Sequence, residues 1–205
     1  MPFFQQLFTQ PIQALAFLLA VVVAITVHEF AHAWVADYFG DPTPSNQNRI
    51  SLSPLAHLDL MGSLAFLLVG FGWGKPVMYD PSYFKQRYAE LLVALAGPAS
   101  NVLLAILLHI LLLLIGNNAY AVQVIELVAT INITLAAFNL LPFPPLDGSS
   151  IVAFFWPEYR SPRFAQIGGL MLLAILFLAP RVLGTVLTPI IVGITLVSRL
   201  FGLLP

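Results

Sequence analysis

Cysteine is absent from the 205 residues, which excludes disulfides, thiolate nucleophiles and sulfur-ligated metals together. Charge is scarce as well: 8% of residues are Asp, Glu, Lys or Arg, and the formal net charge is −1. No basic cluster is dense enough to follow a phosphate backbone, so nucleic acid is excluded as a partner. Also lacking are a hydrophilic stretch large enough for a second domain, a repeat of fixed period and a low-complexity tail. The opening MPFFQQLFTQ holds no Lys or Arg, and the apolar run behind it has no small-residue cleavage site. The expectation is that the first helix is retained and not removed as a signal peptide.

What is abundant is apolar: 60% of residues are hydrophobic and the mean hydropathy is +0.93, values of an integral membrane protein. Runs from Pro11 to Phe39, Leu91 to Ile115, Tyr120 to Leu141, Phe164 to Ala179 and Val182 to Phe201 predict five spanning helices. Met61 to Trp73 is shorter and glycine-rich, and apolar runs of about 10–14 residues tend to be re-entrant or interfacial. The expected fold is an all-α polytopic membrane protein of about five to six transmembrane helices, with a re-entrant or extended hairpin segment after the first. GDPTPSNQNR and PFPPLDG are proline-dense breaks, and Gly116-Asn117-Asn118 predicts a tight turn. With the Met61 segment returning, Arg49, Lys75, Lys85, Arg87, Arg160, Arg163 and Arg199 share one side and Arg181 stands alone on the other. The richer side is then cytoplasmic. A full crossing would move Arg49 beside Arg181, still an acceptable bias, so charge does not choose between the two.

Into this apolar chain TVHEFAHAW, Thr26 to Trp34, places two histidines and a glutamate, each costing at least ~2–3 kcal/mol to insert. His28 and His32 are four apart, so on a helix their rings share a face one turn apart and can grip one zinc ion. Glu29 beside them completes the H-E-x-x-H arrangement, in which the glutamate accepts a proton from a water that zinc acidifies. Peptide hydrolysis is the matching reaction. A catalytic zinc takes three protein ligands, and the candidates for the third are Asp147, Asp59, Glu126, Glu90, His57 and His109. Asp147 is best placed, because Pro142, Pro144 and Pro145 interrupt a helix there, and irregular backbone at membrane depth is tolerated only where it is buried or lines a cavity. Gly148 lets the backbone come close. The competing role for Asp147 is to cap a short helix from Ser149 to Phe155, and the residues alone leave both open. His109 and Glu126 read as packing or paired groups. A single zinc site needs His28, His32 and Asp147 at one face of the membrane, which requires the Met61 segment to return.

The motifs HEFAH, SLSPLAHLDLMG, GFGWGKPV, ALAGPASN and FNLLPFPPLDG follow one another in that order. In this the chain resembles the site-2 protease family of intramembrane zinc metalloproteases, in its small form without PDZ or CBS domains. The resemblance covers nearly the whole chain and is closest from Thr26 to Gly148. It implies that His28, His32 and Asp147 bind one zinc per chain, that Glu29 is the general base, and that water reaches the site from the cytoplasm. It also implies transmembrane protein substrates, often already trimmed by another protease. Asn101 and Asn139 match positions that orient substrate or stabilise a developing oxyanion, and His57 matches the family pattern, while Ser53 departs from the Asn that small relatives carry before PLAH. Asn132 and Asn139 are seven apart and share a helix face, suiting either a polar cavity wall or amides that join helices.

The expected organisation is one intramembrane metalloprotease domain over 1–205, with a catalytic core at about 11–155 and C-terminal helices at about 164–203. The expected location is the cytoplasmic membrane of a prokaryote, with the lipid bilayer and membrane-protein substrates as partners. Gly72, between Gly70 and Gly74, is expected to let an unwound substrate pair with this segment as an added strand, or else to serve a tight turn. The alternatives to a protease are a zinc transporter, which would show repeated halves and several midplane polar sites, and a non-proteolytic metal-binding protein, which would lack Glu29.

Overall fold

The computed structural model describes residues 9–69, 72–115 and 119–200. Gly70 and the anticipated turn at Gly116-Asn117-Asn118 lie outside the described residues. Helix α1 spans Pro11–Tyr38, opening on a proline whose missing N–H is harmless in a first turn. It ends where Gly40 takes φ 99°, a conformation that favours glycine. The Gly40 N–H then bonds the Asp37 carbonyl at 2.9 Å, and the Asp41 N–H bonds that of Ala36 at 3.1 Å, which satisfies the last carbonyls of the helix. The one-turn α2, Thr43–Asn46, and a 3-10 turn at Pro54–Ala56 lead to α3, Leu60–Val69. Then come α4 (Ala89–Ile115), α5 (Ala119–Asn139), α6 (Asp147–Phe155), α7 (Pro162–Leu178) and α8 (Pro180–Leu200).

The centre is α1, α4 and α5 packed on one another. Their buried positions are small: Ala20, Ala24 and Ala36 of α1, Ala94 and Ala105 of α4, Ala129 and Ala136 of α5. Lipid is as apolar as leucine, so helices in a bilayer gain little by hiding leucine from it; small residues instead let backbones close up. Leu15, Leu19, Leu103 and Leu107 accordingly point outward. The same three helices, as Pro11–Tyr38, Ala89–Leu112 and Ala119–Asn139, are long and apolar enough to cross a membrane. Of the last two helices, Pro162–Leu178 and Arg181–Gly193 satisfy length and composition together, as up to one further span, with a bend of 103° between them. The molecule is thus an all-helical integral membrane protein.

Among the described residues the only β pairing is a single antiparallel bridge between Leu58 and Gly74, so the chain leaves and comes back to one point. Its two legs touch backbone to backbone. A Cβ on Gly62 would lie 2.1 Å from the Trp73 carbonyl oxygen, and one on Gly72 would lie 2.1 Å from that of Gly62. Gly72 therefore faces back into α3, and even a methyl there would force the legs apart.

Candidate metal centre

His28 and His32 sit on the inner half of α1, both buried, with ring Nε2 atoms 3.0 Å apart. Asp147 enters from α6. Its Oδ2 lies 3.1 Å from His28 Nε2 and its Oδ1 3.3 Å from His32 Nε2. Leu146, not Asp147, is the N-cap residue of α6, so the capping role is set aside and the carboxylate turns to the imidazoles. What brings it there is the break after α5. Gly148 presses so close to the end of that helix that a Cβ would meet the carbonyl oxygens of Leu141 and Leu140 at 2.3 and 2.4 Å.

The outer nitrogens of both rings are already engaged. His28 Nδ1 is 2.7 Å from Asn101 Oδ1, and His32 Nδ1 is 2.7 Å from the Val93 carbonyl. The Val93 carbonyl can only accept, so His32 carries its proton on Nδ1. The Asn101 oxygen accepts from His28 in the same way, because its amide nitrogen donates to the Ala24 carbonyl at 3.0 Å and to Asn132 Oδ1 at 2.8 Å. Neutral rings protonated at Nδ1 offer bare Nε2 lone pairs. Two such lone pairs and a carboxylate then converge, and Asp147 Oδ2 is buried with no hydrogen-bond partner. A cation satisfies all three atoms at once. Space is kept for it by Gly97 of α4, where a Cβ would stand 2.3 Å from His32 Nε2 and 2.6 Å from His28 Nε2. Two imidazoles and a carboxylate are a zinc donor set, and Nδ1 anchoring to an oxygen is the usual support for a ligating histidine.

Glu29 follows His28 on α1, and its Oε2 accepts the Val77 N–H at 3.0 Å. The other carboxylates and histidines weighed from sequence have partners elsewhere. Asp59 accepts the Gly62 N–H at 2.7 Å and so caps α3. Glu90 pairs with Arg160 at 2.6 Å. Glu126 faces His109 at 3.4 Å, and His109 Nδ1 bonds its own helix at the Ala105 carbonyl, 2.7 Å away. His57 is fully buried, with Nε2 2.6 Å from the Ser51 carbonyl. Asn139 is half-buried and donates to the Leu135 carbonyl at 3.1 Å. Asn101 is wholly buried and has no amide hydrogen left for a substrate oxygen. Arg49, expected to act as a loop charge, is 2% exposed.

The profile of peptidase family M50 matches residues 16–121 and 116–179. YwhC of Bacillus subtilis is 37% identical over 176 residues, 79% of this chain and 80% of that protein. Rip2 of Mycobacterium tuberculosis is 32% identical over 172 residues, 80% of this chain and 66% of its own length. Both carry zinc metalloprotease names. No solved structure matches the chain.

Proposed function

The chain belongs to peptidase family M50 and is an intramembrane zinc metalloprotease; from that premise we propose that His28, His32 and Asp147 hold the zinc and that Glu29 is the general base. The observation that carries this is the convergence of two bare Nε2 lone pairs and an unpartnered carboxylate oxygen beneath Gly97. Zinc bound there would supply the Lewis acidity that polarises the scissile carbonyl and acidifies water. Glu29 is held at Oε2 by Val77, which leaves Oε1 to take the proton of the attacking water. As the C–O bond forms and the C–N bond breaks, Glu29 returns that proton to the leaving amine nitrogen. Asn101 and Val93 fix the two rings, so we read Asn101 as orienting His28 and not as a substrate contact. Asn139 and His57 remain candidate substrate contacts by resemblance.

Substrates are membrane proteins, and we infer that they are cut within or beside a transmembrane segment. The decisive experiment compares Glu29→Gln with the unaltered enzyme on a panel of single-pass membrane segments. The variant should keep its zinc and lose cleavage by about 10²–10⁴-fold, the range for removing a positioned base. Near-normal cleavage with zinc retained would sink the mechanism.

We further read the chain as a single domain in a prokaryotic cytoplasmic membrane, its site open to the cytoplasm and the 60–73 segment re-entrant. The Leu58–Gly74 bridge supports the return. Lys75, Lys85, Arg87, Arg160 and Arg163 still favour one side without Arg49. A count of five to six spans requires α7 and α8 each to cross. At 1.5 Å per residue α8 would rise about 30 Å, a full hydrocarbon core, and α7 about 25 Å, near the lower limit. With no native cysteine, single introductions test the topology: Ser45→Cys and Ser82→Cys should both label from the cytoplasm. Opposite labelling would mean that the segment crosses.

A further inference from the structure

Arg49 does something that its place in a loop does not suggest. Its guanidinium lies almost wholly inside the protein, in bonds to the carbonyls of Ala56, Lys75 and Pro76. These belong to two separate pieces of chain, the turn before His57 and the returning leg of the α3 hairpin. One planar fork with several fixed donors can hold both. The leg is also tied by the Lys75 N–H to the His57 carbonyl at 2.7 Å and by the Asp80 N–H to Asp41 Oδ2 at 2.7 Å. The residue after Pro76 is Val77, whose N–H holds Glu29 at Oε2. Attraction to the Glu29 carboxylate offsets part of the cost of burying the guanidinium.

We propose that Arg49 is the positioning residue for the proposed general base: by clamping the Lys75 and Pro76 carbonyls it fixes the Val77 N–H, and through it the Glu29 rotamer. This rests on Glu29 acting as the base. A side chain on a helix facing a cavity has several staggered rotamers open to it. A single hydrogen bond from a mobile leg would not select one; a leg pinned on both sides of the donor does. Pro76 lacks an N–H and those of Lys75 and Val77 are spent on His57 and Glu29. Residues 75–77 thus have no main-chain donor left for another chain, and serve the enzyme's own carboxylate.

The test uses full-length enzyme in detergent and a membrane segment that it cleaves. Arg49→Gln should lower kcat by about ten- to hundredfold, the usual scale for an orienting partner, with KM and zinc per chain unchanged. Arg49→Lys keeps the charge without the fork and should recover only part of the loss, and it stands in if the Gln variant fails to fold. Millimolar guanidinium should restore turnover to Arg49→Ala. Val77→Pro removes the same N–H, so combining it with Arg49→Gln should be no worse than the worse single change, as for two links of one chain. Unaltered kcat in Arg49→Gln, zinc loss in step with activity, or multiplicative losses in the double variant would overturn the proposal. If Glu29→Gln itself stays active, the base assignment has failed first; if it is dead and the Arg49 variants are unimpaired, only this inference has.

Discussion

Two histidine–carboxylate groups share this helix bundle, and they are built differently. At one, His28 and His32 meet Asp147 with three ligand atoms within 4.8 Å of one another, their outer nitrogens tied to oxygens on a different helix. At the other, His109 meets Glu126 at 3.4 Å and ties its outer nitrogen to its own helix. The residue types are the same. The first has a glycine where any side chain would fill the gap, an amide network behind it and only acceptors facing one another. The second is one imidazole facing one carboxylate, with no second histidine beside it. Burying ionisable groups in a membrane is costly in both places, and on the proposed ligand set the two meet that cost differently, one with a metal ion and the other with a partner.

The sharpest way to break the comparison is to delete one carboxylate from each. Asp147→Ala should empty the zinc site and abolish cleavage, whereas Glu126→Ala should leave zinc content intact; a metal assay on the purified variants decides it, and zinc loss from the second variant would erase the distinction. A smaller effect is expected from the support behind the ligand. Asn101→Ala frees the His28 ring and should weaken zinc affinity by about 10–100-fold, measured by competition with a chelator, while KM for substrate holds; a change in KM alone would return Asn101 to the substrate. Smallest of all, His109→Phe should cost about 0.6 kcal/mol in unfolding and at most about 1.7, the mean and the maximum for polar contacts between membrane helices, with zinc binding untouched. A loss of activity without a loss of stability would give that pair a function that the contrast denies it.

Much of the metal end was legible in the chain because its chemistry is local. Four-residue spacing on a helix puts His28 and His32 together whatever surrounds them, and three prolines around Asp147 can only mark a break. The long apolar runs likewise foretold α1, α4 and α5. What could not be read depends on contacts between distant segments. Asn101 meets His28 across 73 positions, and an asparagine that orients a ligand looks the same in sequence as one that orients a substrate. Arg49 looked like a loop charge because nothing near it reveals that three carbonyls will close over it. Gly72 belonged to a glycine triplet that suggested an open edge, and only the packing of the hairpin shows it turned toward Gly62. Gly97 gave no sign that its missing side chain leaves room for the ligand atoms.

The third member of the trio comes from far along the chain, and this sets an order in time. A ribosome adds about 5–20 residues per second, so roughly 120 residues separate His28 from Asp147 by on the order of 6–24 s of synthesis. For that interval the two histidines have been made without the carboxylate, and Asn101, the partner of one of the rings, is made well before Asp147. On the proposed ligand set, the nascent enzyme can degrade nothing until the chain has passed α5 and turned back at α6. With that ligand set, its own assembly is in this sense an activation step.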